Sequence, residues 1–183
     1  MITAFGQLNK AAIEQQFLVY THLLMNKSFS KSIDYLNEDF LKIIPKEQLV
    51  ILMEKTYNNP DLEFNISEPK VLKVDSIKRM GDQYYAKLLY SNLLQMKFKF
   101  ESAVTKSGED HSLKDSLTLK ALEKQFGSGN VAYNTATHFY EIYVEKNVVA
   151  NSKDSNHWKF VVVEEKQKPI LQKFIPKEFL EFN

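Results

Sequence analysis

The stretch that decides the fold reads QYYAKLLYSNLLQMKFKFE, from Gln83 to Glu101. Every second residue from Tyr84 to Phe100 is apolar except Asn92, and a period of two is that of a β-strand. The alternate row is polar at both ends and apolar only near its middle. We therefore expect one face to be buried throughout and the other in part. At about 3.3 Å per residue such a strand exceeds the width of a small domain, which predicts a bend, a bulge or a break.

The composition is that of a folded globular protein. The chain has 183 residues, of which 44% are hydrophobic and 26% charged, and its net charge is +1. One domain over residues 1–183 is the simplest interpretation. The small net charge argues against nucleic-acid binding, which needs a cationic surplus. Because no apolar run approaches the ~20 residues of a membrane span and Met1 to Lys10 lacks a signal-peptide pattern, we expect a cytoplasmic protein that does not bind membranes.

Helices are predicted for the first third of the chain and for one later stretch. Apolar residues at helical spacing indicate a long helix from Ala4 to Met25, a short one ending at Leu36, and a third from Pro45 to Tyr57. Asn37 to Asp39 marks a further turn. A later helix is predicted over Leu113 to Phe126, after a loop at residues 106–110. The residues expected to face the sheet from this helix are Leu113, Leu117, Ala121 and Leu122.

The period changes to alternation after the third helix. Leu62 to Ile66 and Val71 to Ile77 are predicted strands, and in the second Leu72 and Val74 are expected to share one face. Gly81 is predicted to make the turn into the long strand.

Three late strands and a tail complete the prediction. The strands are Val131 to Asn134, His138 to Val149 and His157 to Glu164, with a turn near Thr135 to Thr137 joining the first two. Pro169 to Leu180 is expected to dock as an ordered tail. One face of the longest late strand carries His138, Tyr140, Ile142, Val144 and Val148.

This order of elements over Ala4 to Glu164 resembles the cystatin-like cone of the nuclear transport factor 2-like superfamily, which includes ketosteroid isomerase and scytalone dehydratase. The resemblance implies an α+β fold with three N-terminal helices packed on a strongly curved antiparallel sheet, to which residues 113–126 add a helix. It also implies a cavity between helices and sheet. Members of the superfamily bind proteins or small molecules, catalyse isomerisation or dehydration, or dimerise, so the resemblance carries over no catalytic residue.

Asn92 is the polar exception in the buried row. A buried amide without a partner costs about 1 to 3 kcal/mol, so a hydrogen bond is expected. In one interpretation Asn92 is a polar anchor in an apolar cavity. In the other it marks a bulge, and its side chain bonds the backbone or leaves the core. The residues proposed to line the pocket are Tyr20, Tyr90, Asn92, His138 and Tyr140.

No catalytic or metal-binding signature accompanies these residues. Cysteine is absent, and the four histidines include no pair four residues apart, so neither a metal site nor a cofactor is predicted. Gly127 to Asn130 follows a helix, whereas phosphate loops precede one.

The leading hypothesis is a non-enzymatic domain that binds a small apolar ligand or a protein partner, with a homodimer across the exposed sheet face as one form. An alternative is a cofactor-free lyase or isomerase that uses Tyr20, Asn92 and His138. A third is a purely structural, partner-binding protein.

Overall fold

The computed structural model describes residues 3–99 and 108–182 and confirms an α+β fold. Seven strands form one antiparallel sheet within these residues, in which β1, β2 and β3 pair with β4, and β5 and β7 pair with β6. The helices are α1 Thr3–Met25, α2 Phe29–Ser32, α3 Glu38–Ile43, α4 Lys46–Tyr57, α5 Gly108–Phe126 and α6 Lys168–Leu171. The strands are β1 Leu62–Ile66, β2 Lys70–Val74, β3 Lys78–Met80, β4 Gln83–Phe98, β5 Val131–Asn134, β6 Phe139–Ser152 and β7 Lys159–Val163. No helix in this part of the chain is long and apolar enough to cross a membrane.

The chain divides into two compact units. The first unit comprises Met1–Glu54, Glu68–Ser91 and Glu145–Asn183, and the second unit comprises Lys55–Ser67 and Asn92–Val144. The single domain expected from the sequence stays a prediction.

Helices and strands of the first unit share a hydrophobic core. Phe17 of α1 lies in it, with its ring centroid 4.9 Å from that of Tyr90 and 5.4 Å from that of Phe160. Ala86 and Leu88 of the predicted inward row of β4 belong to the same core, which confirms that row in this unit. The buried members are Ile13, Phe17, Tyr20, Ile33, Leu36, Leu49, Ala86, Leu88, Val148, Ala150, Trp158 and Phe160.

The C-terminal tail covers a second set of strand residues in the first unit, as predicted. The strands contribute Tyr85, Val149, Val161 and Val163, and the tail contributes Leu171, Ile175, Phe179 and Leu180. Tyr85 is 5% exposed, although the sequence predicts a polar end for this face of β4. The difference arises because the tail, which lies far away in sequence, packs on it. The sheet face expected to be exposed for a homodimer is thus covered here.

Among the residues that the structure describes, four α-helices rather than three precede β1. The additional one is α3, because Asn37 caps its start: Asn37 Oδ1 accepts hydrogen bonds from the backbone N–H groups of Asp39, at 2.8 Å, and Phe40, at 2.9 Å. The turn predicted at Asn37 to Asp39 is therefore the beginning of a helix.

Strict alternation over Val71 to Ile77 is wrong. The register of β2 on β4 shifts between Val71 and Lys73, so Val71 and Val74 both pack on the core and Leu72 is 40% exposed. An extra residue in a bulge reverses which side chains face inward. The strand ends at Val74, and the shorter β3 leads to the predicted turn, where Gly81 has φ 62°.

The second unit packs α5 against strands β4, β5 and β6. Its buried residues are Leu122, Tyr140, Ile142 and Val144. Partly buried residues around them include Leu94, Met96, Phe98, Leu119, Phe126, Val131 and Tyr133. The inward row of β4 predicted from the sequence is thus confirmed in this unit as well.

The predicted packing face of α5 is partly wrong. Leu113 is 60% exposed and Leu117 is 59% exposed, whereas Leu119, Leu122 and Phe126 pack inward. The sequence offers two apolar stripes at helical spacing, and contact with the strands decides between them. The helix begins at Gly108, so residues 108–110 are helical rather than a loop. The remainder of that predicted loop, and residues 100 and 101 of the predicted long strand, lie outside the described residues.

Candidate functional site: a tyrosine–aspartate–histidine cluster beside a cavity

An open cavity of about 450 Å³ lies in the second unit, beside α5 and the β5–β6 hairpin. Its size falls in the range of roughly 300 to 1,000 Å³ that small-molecule sites occupy. The lining combines an apolar side chain with several polar ones. The lining residues are Asp115, Ser116, Leu119, Tyr133, Thr135 and His138.

The hairpin turn positions His138 at this cavity. Asn134 Oδ1 accepts hydrogen bonds from the backbone N–H groups of Ala136, at 3.1 Å, and Thr137, at 3.2 Å. The His138 N–H donates to the Asn134 carbonyl oxygen over 2.8 Å. The turn brings the chain back at His138 with a left-handed φ of 61°, a conformation that costs a residue other than glycine about 1 to 2 kcal/mol.

A hydrogen-bonded chain joins α5 to the hairpin. The Tyr133 hydroxyl donates to Asp115 Oδ2 over 2.7 Å, and the Tyr140 hydroxyl donates to Asp115 Oδ1 over 3.2 Å. Because Tyr133 has one hydroxyl proton and donates it to the carboxylate, it accepts from His138 Nδ1, 3.0 Å away. The neutral imidazole then has its proton on Nδ1, and Nε2 is an acceptor. Nε2 makes no hydrogen bond within residues 3–99 and 108–182.

Both tyrosines stay protonated well above neutral pH. Burial, followed by the hydrogen bond and charge of Asp115, raises the pKa of Tyr133 to about 12. Burial is also the main cause that raises the pKa of Tyr140 to about 12. The two hydroxyl groups are therefore neutral donors that hold the Asp115 carboxylate in place.

Tyr20 and Tyr90, two predicted pocket residues, meet in the core of the first unit. Phe17 lies beside both, with its ring centroid 6.1 Å from that of Tyr20 and 4.9 Å from that of Tyr90. Tyr20 is 7% exposed and also stacks on Phe160. The observed contacts of these rings are those of core residues.

Asn92 belongs to the second unit and keeps its polar oxygen buried. Asn92 Oδ1 has no hydrogen-bond donor among the described residues. The bulge interpretation places an irregularity at Asn92, but the register shift lies in β2, opposite Leu89 and Tyr90. The interpretation of Asn92 as a polar anchor in an apolar cavity stays a prediction.

His138 and Tyr140 are brought together, but not as the sequence predicts. His138 lies in the turn before β6 rather than on the strand, because the Asn134 side chain stabilises a four-residue loop. His138 therefore does not share a strand face with Tyr140. The two residues meet instead through Tyr133, which bonds His138 and whose ring centroid is 4.8 Å from that of Tyr140.

Sequence reasoning missed Tyr133 and Asp115. The predicted turn at Thr135 to Thr137 would pair Tyr133 with Phe139. The structure pairs Tyr133 with Tyr140 instead, because the loop is one residue longer. The Asn134 turn motif was the available signal for the longer loop. Nothing local marks Asp115, whose role depends on how α5 docks.

Within residues 3–99 and 108–182, no group of three or more histidine, aspartate or glutamate residues is arranged to hold a metal ion. Comparison of the chain with protein-family models, curated proteins and solved structures found no match.

Proposed function

We propose that this protein is a small-molecule-binding domain whose ligand occupies the cavity beside His138. The observation that carries the proposal is the chain from Asp115 through Tyr133 to His138, which makes Nε2 the acceptor nitrogen of a histidine that lines a cavity of about 450 Å³. A residue held in a left-handed conformation by such contacts is a common feature of binding sites.

The lining selects the chemistry of the ligand. Leu119 and the ring of Tyr133 supply apolar contacts, and His138 Nε2 accepts one hydrogen bond. A small apolar or aromatic compound with one hydroxyl or N–H group satisfies both requirements. A simple phenol is a suitable probe.

The order of N-terminal helices followed by antiparallel strands supports membership of the nuclear transport factor 2-like superfamily. In such a domain a small apolar ligand, rather than a cofactor, is the expected occupant. A cytoplasmic location and a homodimer stay predictions. Sedimentation of the purified chain tests the homodimer.

A tryptophan that fills the cavity provides the test. Ser116→Trp places a large ring at the lining without removing any member of the hydrogen-bonded chain. Lys120→Trp is its matched control, on an exposed position of the same helix. Binding of a phenol library is followed by chemical-shift changes in the protein amides. We expect some phenols to change the amide chemical shifts of residues 115–119 and 133–138, both in the parent and in Lys120→Trp.

Loss of those hits in Ser116→Trp supports the site. Equal binding by Ser116→Trp, or a library without a hit at these residues, contradicts it.

A second candidate function follows from the same chain. His138 Nε2 is positioned to accept a proton from a bound carbonyl compound, which supports a cofactor-free isomerase or lyase with His138 as general base. The sequence-based version of this idea uses Tyr20 and Asn92 as well. Exchange of the α-protons of a bound ketone with deuterium, measured for the parent and for His138→Asn, distinguishes a catalyst from a binding protein.

A further inference from the structure

A second cavity, of about 380 Å³, lies in the first unit between α3, the start of β4 and the β6–β7 turn. Two of its side chains are buried amides: Asn37 is 3% exposed and Asn151 is 7% exposed. Burying polar groups at the wall of a cavity is costly unless each is hydrogen-bonded. The lining residues include Asn37, Glu38, Gln83, Asn151, Lys153 and Lys159.

The amides form a chain whose direction is fixed by the backbone. Two backbone N–H groups donate to Asn37 Oδ1, so that atom is the oxygen and Asn37 Nδ2 must be the donor. Nδ2 donates to Asn151 Oδ1 over 2.8 Å, and Asn151 Nδ2 donates to Gln83 Oε1 over 2.9 Å. The chain therefore ends in Gln83 Nε2, an N–H donor without an acceptor in the described part of the protein.

Charged groups of both signs line the same cavity as Gln83. Three lysines, Lys42, Lys153 and Lys159, balance three acids, Glu38, Asp39 and Asp154. Glu38 Oε2 lies 2.7 Å from Lys153 Nζ, and the hydrogen bond and charge of Lys153 lower the pKa of Glu38.

The acidic side chains of this second cavity differ in whether they can accept a further hydrogen bond. Asp154 is occupied by the turn, because it accepts from the backbone N–H groups of Asn156 and His157 as well as from side chains. Glu38 Oε1 is not used in the pair with Lys153. A balanced set of charges does not attract a simple anion strongly, since attraction to the lysines is offset by repulsion from the acids.

We propose that this second cavity binds a small zwitterion of the α-amino-acid class. The carboxylate of the ligand accepts from Gln83 Nε2 and from a lysine ammonium, and its amino group donates to Glu38. This inference is independent of the site beside His138, because the two cavities share no lining residue.

Gln83→Glu is the decisive variant. The new carboxylate still accepts from Asn151 Nδ2, so the buried chain is kept, but the donor is removed and the ligand carboxylate is repelled. Gln48→Glu, at an exposed position of α4, is the control for the added charge. Calorimetric titration with free amino acids is expected to show binding to the parent and to Gln48→Glu. Gln83→Glu is expected to weaken that binding about 10-fold or more.

The ligand class is tested with compounds that lack one charge. If L-alanine is among the ligands, propionate, without the amino group, and ethylamine, without the carboxylate, are both expected to bind more weakly. Lys153→Met, whose lysine side chain is 64% exposed, serves as a second variant should Gln83→Glu fail to fold. The inference is overturned if no amino acid binds, if propionate binds as tightly as alanine, or if neither variant weakens binding.

Discussion

The two units use the same strands β4 and β6 but cover them differently. In the first unit, N-terminal helices pack on one set of strand residues and the tail packs on another, as at Ala86 and its neighbour Tyr85. In the second unit α5 covers the strands, and Tyr143 of β6 is 42% exposed. Because adjacent strand residues point to opposite faces of the sheet, the first unit buries both faces at this position. We infer that the first unit supplies most of the stability, because side chains on both faces of its strands are packed in hydrophobic clusters.

The most damaging change should be to the core of the first unit. Phe160 is 0% exposed and contacts the rings of Phe17 and Tyr20. Phe160→Ala is expected to lower the free energy of unfolding by about 3 to 5 kcal/mol, and Leu122→Ala in the second unit by about 2 to 3 kcal/mol. Urea denaturation followed by circular dichroism measures both.

Leu117→Ala is the control for that comparison, because Leu117 is 59% exposed and lies on the same helix as Leu122. It should change the free energy of unfolding by less than about 0.5 kcal/mol. The single tryptophan, Trp158, lies in the first unit, so its fluorescence reports that unit alone. Equal losses for Phe160→Ala and Leu122→Ala would remove the proposed difference between the units.

Alkaline pH tests the half-buried cluster of the second unit. The pKa of Tyr133 is about 12 in the folded chain, above its unfolded value of about 10. Its contribution to stability is therefore fully present below pH 10 and is lost as the pH rises through 12. Tyr133→Phe should be less stable than the parent at pH 8, because Asp115 loses a donor, but should lose less stability between pH 9 and pH 11.

Urea midpoints at these pH values, with Tyr143→Phe as the exposed control, measure the effect. If the urea midpoints of the parent and of Tyr133→Phe fall equally above pH 9, the ionisation of Tyr133 does not cause the loss of stability.

Periodicity predicted the elements better than their contacts. The inward row of β4 and the limits of α1, α4 and β5 follow from local pattern, which the chain carries within each segment. Three features depend instead on residues distant in sequence: the bulge after Val71, the packing face of α5, and the burial of Tyr85 under the C-terminal tail. The site depends on the same kind of information, because Asp115 reaches Tyr133 only once α5 has docked. The sequence predicts His138 on the inward row of a strand, whereas it lies exposed in a turn that the Asn134 side chain stabilises.

A small change in the free energy of unfolding is expected when the strained backbone of His138, in the second unit, is relieved. His138→Gly relieves a left-handed φ of 61° but removes the hydrogen bond to Tyr133, so the free energy of unfolding should stay within about 1 kcal/mol of the parent. Lys27, with φ 56° in the first unit, is the matched control. Because the exposed Lys27 side chain makes no hydrogen bond within the described residues, Lys27→Gly should gain about 0.5 to 1 kcal/mol. If His138→Gly gains as much as Lys27→Gly in urea denaturation, the bond to Tyr133 contributes nothing to stability. If it also keeps its affinity for phenols, the conformation of His138 is not maintained for binding.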